Sequence, residues 1–193
     1  MRSKLSIVIM AHPDRAHFIP YLQERLGGSV PVVYDERQNI WDTCRRAWLA
    51  IDREARYGLV IQDDSIVCDD FLKKAHRLLK EDAVYSFYAG DLLRTRITRA
   101  VRQGAKEVRA GHIYHEIALA MRTKRIEEMV AFCDEREAQD DHEIDLYARR
   151  ECLEIIYPIP SLIDHRDTES LYRREYNVEM RPKPRRAVLY DDK

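Results

Sequence analysis

The stretch Gly58-Leu-Val-Ile-Gln-Asp-Asp-Ser-Ile-Val-Cys-Asp-Asp-Phe71 gives the clearest indication of the fold. Its apolar run from Leu59 to Ile61 predicts a short buried β-strand, and two adjacent carboxylates, Asp63 and Asp64, follow this run at once. A helix that begins with an aspartate is predicted a few residues later. In an open α/β sheet, ligands bind just beyond the carboxyl ends of the strands, so the acidic pair lies where a binding site is expected.

The segments on either side alternate between strand and helix patterns. The predicted strands cover residues 5–10, 31–34, 57–62 and 83–88, and the predicted helices cover residues 20–26, 39–54 and 70–79. Right-handed crossovers between successive strands then give a mostly parallel sheet with helices on both faces. The predicted fold class is α/β, a single Rossmann-like domain.

The second half of the chain is less regular. Residues 91–111 are basic and weakly patterned, which indicates a long loop or a helical excursion over the site. A strand at 117–121, helices after Thr123 and Asp140, and a last strand at 155–157 are predicted to follow. From Pro158 onward the sequence predicts an irregular C-terminal tail that wraps back over the site.

Length, charge and cysteine usage narrow the class of protein. A chain of 193 residues suits one domain, and a net charge of -1 gives a surface with no overall preference for nucleic acid or anionic membrane. The four cysteines form no C-x-x-C pair, which favours free thiols in a reducing cytoplasm. The N-terminal apolar run is too short for a signal peptide or a membrane span, so a cytoplasmic protein is expected.

Two basic clusters interrupt this balanced surface. Each is either a solvated loop, which is the commoner outcome, or a surface that meets phosphate or an anionic acceptor. The clusters are the segment 181–186 and the residues Arg94, Arg96, Arg99, Arg102, Lys106 and Arg109.

Asp63 and Asp64 are the first candidate ligands of a metal ion. Hard divalent cations prefer carboxylate oxygens, and one aspartate can bind the metal while the other contacts the metal or a ribose. The alternative is that the pair merely begins a turn, since aspartate is common in loops. His165 could supply a further ligand from a distant segment and hold the tail over a nucleotide, although a lone histidine in a polar turn is more often an ordinary surface residue.

Two further groups have both a functional and a structural interpretation. Asp140 and Asp141 open a predicted helix, where acidic residues interact favourably with the helix dipole, or one of them acts as a general base. Spacing does not separate the two, and Asp141 is preferred. On the helix at 39–54, Arg45 and Arg46 flank the apolar face, where one could reach a diphosphate, or both are solvated.

Five segments in a fixed order carry a family resemblance: Ala11-His-Pro13, Trp41-Asp-Thr-Cys-Arg-Arg-Ala-Trp48, Val60-Ile-Gln-Asp-Asp64, Asp140-Asp141 and Pro160-Ser-Leu-Ile-Asp-His-Arg166. With them the chain resembles the small GT-A-fold glycosyltransferases of bacteriophages and prophages, distant relatives of the bacterial lipooligosaccharide galactosyltransferases. The likeness spans roughly residues 5–170. The expected division is a GT-A-like nucleotide-sugar-binding catalytic domain at residues 1–170 and a basic, proline-containing C-terminal tail at residues 171–193.

The resemblance implies a nucleotide-sugar donor, with a UDP-hexose expected, and Mn²⁺ or Mg²⁺ as cofactor. Asp64, with Asp63 beside it, matches the family's metal-binding Asp-x-Asp position, and His165 matches its C-terminal metal-binding histidine. Asp141 falls where such enzymes often carry an acid that faces the acceptor. The motif Gln62-Asp-Asp64 is not a strict Asp-x-Asp, which leaves the division of labour within the pair open. The residues that match the strand ends holding the nucleobase and ribose are Ala11, His12, Asp35 and Arg37.

The predicted activity is transfer of a hexose from a UDP-sugar to an acceptor by a metal-dependent glycosyltransferase. Modified phage DNA, a phage protein and a host glycan all remain open as acceptors, and the sugar, the stereochemistry and the oligomeric state are also open. One alternative is a carboxylate-metal nuclease that uses Asp63, Asp64, Asp141 and His165 around two cations. The other is a non-catalytic nucleotide-sugar-binding module.

Overall fold

The computed structural model describes residues 4–138, 142–168 and 185–192. The strands are β1 (Leu5–Ala11), β2 (Val32–Tyr34), β3 (Tyr57–Gln62), β4 (Ser65–Val67), β5 (Val84–Ser86), β6 (Glu107–Ala110), β7 (Ala118–Arg122), β8 (Ile155–Pro158) and β9 (Ile163–His165). The helices are α1 (Ile19–Arg25), α2 (Ile40–Leu49), α3 (Phe71–Leu78), α4 (Arg94–Arg102), α5 (Ile126–Glu135) and α6 (Glu143–Arg150). Short 3-10 turns at Pro13–Phe18, Asp91–Leu93 and Thr123–Arg125 precede α1, α4 and α5.

One large sheet organises the chain. Its strands lie in the order β2-β1-β3-β7-β5-β8-β6. β1 pairs in parallel with β2 and β3, and β5 pairs in parallel with β8. β7 runs antiparallel to both β3 and β5, and β6 runs antiparallel to β8. The main direction is therefore shared by β1, β2, β3, β5 and β8, which confirms the predicted α/β fold with a mostly parallel sheet.

Alternation of side chains along the strands builds a hydrophobic core on each face of this sheet. In β1, Val8 belongs to one core, whereas Ile7 and Ile9 belong to the other. Helices α2, α4, α5 and α6 contribute to the first core, and helices α1 and α3 contribute to the second. Helices thus cover both faces, as predicted.

Gly58 lets the helical layer approach β3 closely. A Cβ atom at this position would lie 2.7 Å from Cγ2 of Ile51 and 3.0 Å from Cδ1 of Ile126. Real Cβ contacts are longer than this, so any larger residue would push the ends of α2 and α5 away from the sheet.

A second, two-stranded sheet joins two segments that are about a hundred residues apart in the sequence. β4 and β9 are antiparallel, with Ser65 opposite His165 and Ile66 opposite Asp164. Because β4 follows directly after the acidic pair, this pairing brings β9 to the carboxyl end of β3. Neither strand was predicted, because each has only three residues and depends on a partner far away in the sequence.

The described C-terminal residues, 185–192, return to the same region. Val188 donates its backbone N–H to the carbonyl of Ala89 at 2.9 Å, and the carbonyl of Leu189 accepts from the N–H of Ser161 at 2.8 Å. Ala187 also donates its N–H to Asp164 of β9, so this described part of the tail returns to β9, as predicted. The predicted boundary between residues 170 and 171 lies outside the described residues. Among the described residues, no helix has the length and apolarity that a membrane crossing needs.

Residues 91–111 do not form the plain loop that was considered, since they contain α4 and the edge strand β6. Their pattern is weak because α4 buries only Ile97 and Ala100, and β6 buries only Val108. The remaining side chains of these elements are partly or fully exposed, so a periodic apolar signal is nearly absent.

The two helices next to the acidic pair differ from their predictions at the ends. α2 begins after Asn39, whose side chain accepts the N–H of Asp42 at 2.8 Å, but it ends at Leu49 rather than near Glu54. The predicted cap of α3 is wrong. Asp70 has a left-handed backbone (φ 56°) and no capping hydrogen bond from its side chain, whereas an N-cap needs an extended backbone.

Candidate functional site

The carboxyl ends of β1, β2 and β3 meet at one edge of the sheet. The chain passes from β1 to β2 on one side and returns to β3 on the other, so the strand order reverses between β1 and β3, where α/β sheets bind ligands. The N–H of Asp35 donates to the carbonyl of Ala11 at 2.8 Å, and the N–H of Asp63 donates to that of Met10 at 3.0 Å. His12 donates its N–H to Oδ2 of Asp63 at 2.7 Å. Four predicted site residues, Ala11, His12, Asp35 and Asp63, therefore share this edge.

Asp64 and His165 are brought together by the pairing of β4 with β9. Nε2 of His165 lies 3.2 Å from Oδ2 of Asp64, and the two side chains are only 2% and 3% exposed. The backbone N–H of Arg166 donates to the carbonyl of Asp64 at 2.8 Å, which fixes the two segments in this register. Two predicted metal ligands from distant parts of the chain are thus neighbours.

The orientation of the His165 ring identifies which nitrogen faces the acidic pair. Nδ1 lies at hydrogen-bond distance from the carbonyl oxygen of Arg166. A carbonyl can only accept, so we infer that Nδ1 carries the hydrogen. Nε2 then faces Asp64 either with a second proton or with a lone pair that shares a cation with the carboxylate. Metal-binding histidines commonly donate their other ring N–H to a backbone carbonyl in this way.

Arg15, from the 3-10 turn after β1, reaches the same two carboxylates. Its Nη1 lies 3.2 Å from Oδ1 of Asp63 and 2.5 Å from Oδ2 of Asp64, and its side chain is 13% exposed. Oδ2 of Asp64 is therefore shared between a guanidinium and an imidazole. Oδ1 of Asp64 is buried and has no hydrogen-bond partner among the residues that the structure describes.

The two aspartates differ in their electrostatic surroundings. Burial raises the pKa of Asp63 in spite of the hydrogen bond from the His12 N–H, and the neighbouring charge of Asp64 adds to the rise. Burial also acts to raise the pKa of Asp64, but the hydrogen bond and charge of His165, together with Arg15, outweigh it and lower that pKa. Asp64 is therefore the carboxylate held in the ionised state that a cation requires.

The donor set of this edge suits a divalent cation of the Mn²⁺ or Mg²⁺ type. It offers two carboxylates and one imidazole with its far nitrogen fixed, and one carboxylate oxygen lacks a partner in the described part of the chain. In the arrangement present, where Arg15 contacts both carboxylates, no three His, Cys, Asp or Glu side chains among the described residues converge closely enough to hold an ion.

The predicted nucleoside-binding residues lie beside the acidic pair, at the end of β2. Oδ1 of Asp35 accepts from the N–H groups of Arg37 and Asn39 at 3.1 and 3.3 Å, which closes the loop before α2. The side chain of Arg37 is 71% exposed and lies 3.2 Å from Asp42. Arg37 therefore lies on the protein surface, just after the carboxyl end of β2.

Arg45, one of the two arginines considered as a diphosphate contact, is instead engaged by α5. Its Nε donates to both carboxylate oxygens of Asp134 on α5, at 2.8 and 3.1 Å. Arg46 instead donates from Nη2 to the carbonyl of Tyr34, the last residue of β2, at 2.9 Å. The structure therefore places Arg46, and not Arg45, at the strand ends. The predicted catalytic residues Asp140 and Asp141 lie outside the described residues.

Two residues that sequence reasoning missed support His165. Asp164 is buried, and its Oδ1 accepts the N–H groups of His165 and Ala187 at 2.8 and 2.6 Å. The guanidinium of Arg166 lies 4.6 Å from the ring centres of both Phe18 and Tyr21, so it is stacked between them. Both residues belong to the quoted Pro160–Arg166 stretch. The sequence feature that could have identified them is the Asp-His-Arg run directly after an apolar segment.

Aromatic and imidazole groups also line the far side of His165. The ring of Tyr88 lies 5.2 Å from that of His115 and 6.3 Å from that of His165. Burial, with the charges of Arg185 and His165, lowers the pKa of His115 to about 4, so His115 is neutral at physiological pH. Its Nε2 is buried without a hydrogen-bond partner among the described residues.

Two of the six basic residues in the stretch on α4 and β6 form ion pairs within the fold. Arg109 pairs with Glu81, Glu107 and Glu154 at 2.5 to 2.8 Å. Arg94 pairs with Asp91 at 2.6 Å. These ion pairs leave less free positive charge on this surface than the sequence alone implies.

Comparisons with known proteins give distant structural likenesses. The sequence matches no protein-family model, and no curated protein sequence matches it. The chain is similar to a Drosophila β-1,4-galactosyltransferase 7 mutant solved with manganese, UDP-Gal and xylobiose, with a TM-score of 0.49, 11% identity, and coverage of 90% of this chain and 74% of that chain. It is also similar to 4-diphosphocytidyl-2C-methyl-D-erythritol synthase from Anaerococcus prevotii, with a TM-score of 0.49, 12% identity, and coverage of 89% and 81%. Both TM-scores lie below 0.5, so these likenesses assign neither an activity nor a ligand to this chain.

Proposed function

We propose that the protein is a metal-dependent glycosyltransferase that moves a hexose from a UDP-sugar to an acceptor. The observation that carries the proposal is the meeting of Asp64 and His165, with 3.2 Å between carboxylate and imidazole, beside the point where the strand order reverses. An ordinary turn does not require two buried groups of metal-binding type that come from distant segments and meet at the ligand-binding edge of an α/β sheet. The choice of a UDP-hexose as donor rests on the family resemblance.

Asp64 and His165 would hold Mn²⁺ or Mg²⁺, with Asp63 as a further ligand. When bound, such an ion supplies Lewis-acid stabilisation of the leaving diphosphate. Ala11, His12, Asp35 and Arg37 would bind the nucleobase and ribose, since they lie at the neighbouring ends of β1 and β2. Ala11 ends β1, His12 begins the following turn, and Asp35 and Arg37 follow β2.

The acceptor side of the proposal depends on the start of α6. Asp141, with Asp140 as the alternative, would take the proton of the acceptor hydroxyl in an inverting transfer. Asp141→Asn should then lose most of the transfer rate while it still binds UDP with Mn²⁺ as the parent does. A retained rate would exclude this role and leave a retaining mechanism.

The metal site is tested with variants of its two central residues. Asp64→Ala and His165→Ala should each weaken the binding of UDP in the presence of Mn²⁺ by about a hundredfold or more, because the ion joins the protein to the diphosphate. Isothermal titration calorimetry measures the affinity, and release of UDP from a panel of UDP-sugars measures turnover. Asp91→Ala is the matched control, since Asp91 is 64% exposed and pairs only locally with Arg94 in the described structure. Parent-like binding of UDP and Mn²⁺ by Asp64→Ala would show that the assignment is wrong.

A further inference from the structure

We infer that Arg15 serves the donor site in two states: it neutralises the acidic pair when no metal is present, and it moves to the diphosphate of the donor when the metal binds. This inference rests on the proposed function, because it concerns the same acidic pair. Arg15 was not among the residues that the sequence singled out.

The contacts of Arg15 place a positive charge where a cation would sit. Its Nη1 lies 3.2 Å from Asp63 and 2.5 Å from Asp64, and His165 approaches the same oxygen of Asp64 from its own side at 3.2 Å. Two adjacent buried carboxylates without a counter-charge would be costly, so this guanidinium stabilises the metal-free fold.

A divalent ion shared by Asp64 and His165 would compete with this guanidinium for Asp64. Arg15 contacts Oδ2 of Asp64, the oxygen that also faces Nε2 of His165, so an ion held by Asp64 and His165 would lie within a few ångströms of the guanidinium, and like charges that close in a buried site repel strongly. Arg15 must therefore leave when the ion binds. Its side chain is long and still 13% exposed, so it can move toward solvent.

The diphosphate is the nearest new partner for the displaced guanidinium. Arg15 lies in the turn that directly follows β1, and the metal on Asp63 and Asp64 would hold the phosphates against the same strand ends. A guanidinium forms charge-assisted, often bidentate hydrogen bonds with phosphate oxygens. The exchange keeps Arg15 paired with an anion in both states.

This exchange makes metal and donor bind cooperatively. The metal alone has to displace Arg15 from two carboxylates without offering it a new anion, whereas the metal with UDP supplies one. Linkage then requires UDP to raise the affinity for the metal by the same factor as the metal raises the affinity for UDP.

Arg15→Met separates the two roles because they change affinity in opposite directions. The Kd of Mn²⁺ in the absence of nucleotide should fall about tenfold, since the competitor is gone. The Kd of UDP for the Mn²⁺-saturated protein should rise about tenfold or more, since a charge-assisted phosphate contact is lost. Free Mn²⁺ is measured by electron paramagnetic resonance and UDP binding by calorimetry. Arg77→Met, which removes an exposed positive charge on α3, is the matched control and should change neither constant by more than about twofold.

Arg15→Lys is a second variant, for the case in which Arg15→Met does not fold, because it keeps one positive charge next to the carboxylates. It should retain parent-like Mn²⁺ binding and lose part of the UDP affinity, since an ammonium lacks the planar fork. A purely structural Arg15 would weaken both ligands in Arg15→Met, and that result would overturn the inference. The proposed function fails separately, if Mn²⁺ and UDP bind the parent and Asp64→Ala alike. If binding depends on Asp64 but Arg15→Met binds Mn²⁺ no more tightly than the parent, the proposed function stands and the role of Arg15 is refuted.

Discussion

Replacing Asp164 by asparagine tests how the C-terminal half of the site is held. Oδ1 of Asp164 accepts two backbone N–H groups, from His165 at 2.8 Å and from Ala187 at 2.6 Å, and Oδ2 lies 2.6 Å from Arg186. An asparagine oxygen can still accept, but it carries no charge. Hydrogen bonds to a charged acceptor contribute about 1.5–3 kcal/mol and neutral ones about 0.5–1.5 kcal/mol, so each N–H contact should lose about 1 kcal/mol.

The free energy of unfolding should therefore fall by about 2 kcal/mol in Asp164→Asn. The pair with Arg186 adds little to this figure, because the side chain of Arg186 is 52% exposed. Urea unfolding followed by tryptophan fluorescence measures the change, and amide hydrogen exchange at Ala187 measures the release of the tail segment. Because the same carboxylate holds the N–H of His165, the affinity for UDP with Mn²⁺ should weaken as well.

Asp69→Asn is the matched control for this prediction. Asp69 also pairs with an arginine, Arg25, but its side chain is 60% exposed, so its loss should change the free energy of unfolding by less than about 0.5 kcal/mol. The reasoning is refuted if Asp164→Asn unfolds like the control and its Ala187 amide exchanges no faster than in the parent.

Three further perturbations test other parts of the structure. Gly58→Ala should lower the free energy of unfolding by about 1–3 kcal/mol in urea denaturation, because its Cβ would lie 2.7 Å from a core side chain, and an unchanged midpoint would contradict the close approach. Hydrogen bonds from Arg125 hold the pKa of Asp82 at about 2, below the ordinary 3.8, so the parent should be more stable than Asp82→Asn by at most about 1 kcal/mol above pH 4 and should lose this advantage as the pH falls toward 2; a difference that is constant with pH would refute it. Arg46→Met should weaken calorimetric binding of UDP with Mn²⁺ by about tenfold while Arg45→Met stays within about twofold, and the reverse order would contradict the placement of these two side chains.

The parts of the fold that sequence predicted well are those with a strong local pattern. The strand at Tyr57–Gln62 has the bounds that its apolar run predicted, and the start of α2 follows from Asn39 and from apolar residues at helical spacing. In such elements the residues of the buried face recur at a regular spacing, so the element can be predicted from one short stretch of sequence. The edge strand β6 has almost no such face, since it buries only Val108, and β4 and β9, with three residues each, are too short to show a periodic pattern.

The position of the site could be predicted from the sequence, but the contacts between its side chains could not. Residues that follow parallel strands must gather at one sheet edge, so Ala11, Asp35 and Asp63 could be grouped without coordinates. Which side chains then touch is decided by residues from other elements. Asp134 on α5 pairs with Arg45, and nothing near Arg45 in the sequence predicts that contact.

The structure gives a physical basis for dividing the work of the two adjacent aspartates, which the sequence left open. Both oxygens of Asp63 are used to organise the turn after β1, one by the His12 N–H and the other by Arg15. Asp64 has one buried oxygen without a partner in the described residues and turns the other toward His165, and its pKa is lowered where that of Asp63 is raised. A cation gains most from the carboxylate that is ionised and incompletely hydrogen-bonded. We therefore infer that Asp64 is the primary ligand and that Asp63 holds the β1 turn, with Arg15 on it, at the distance from which the guanidinium can be exchanged for a metal.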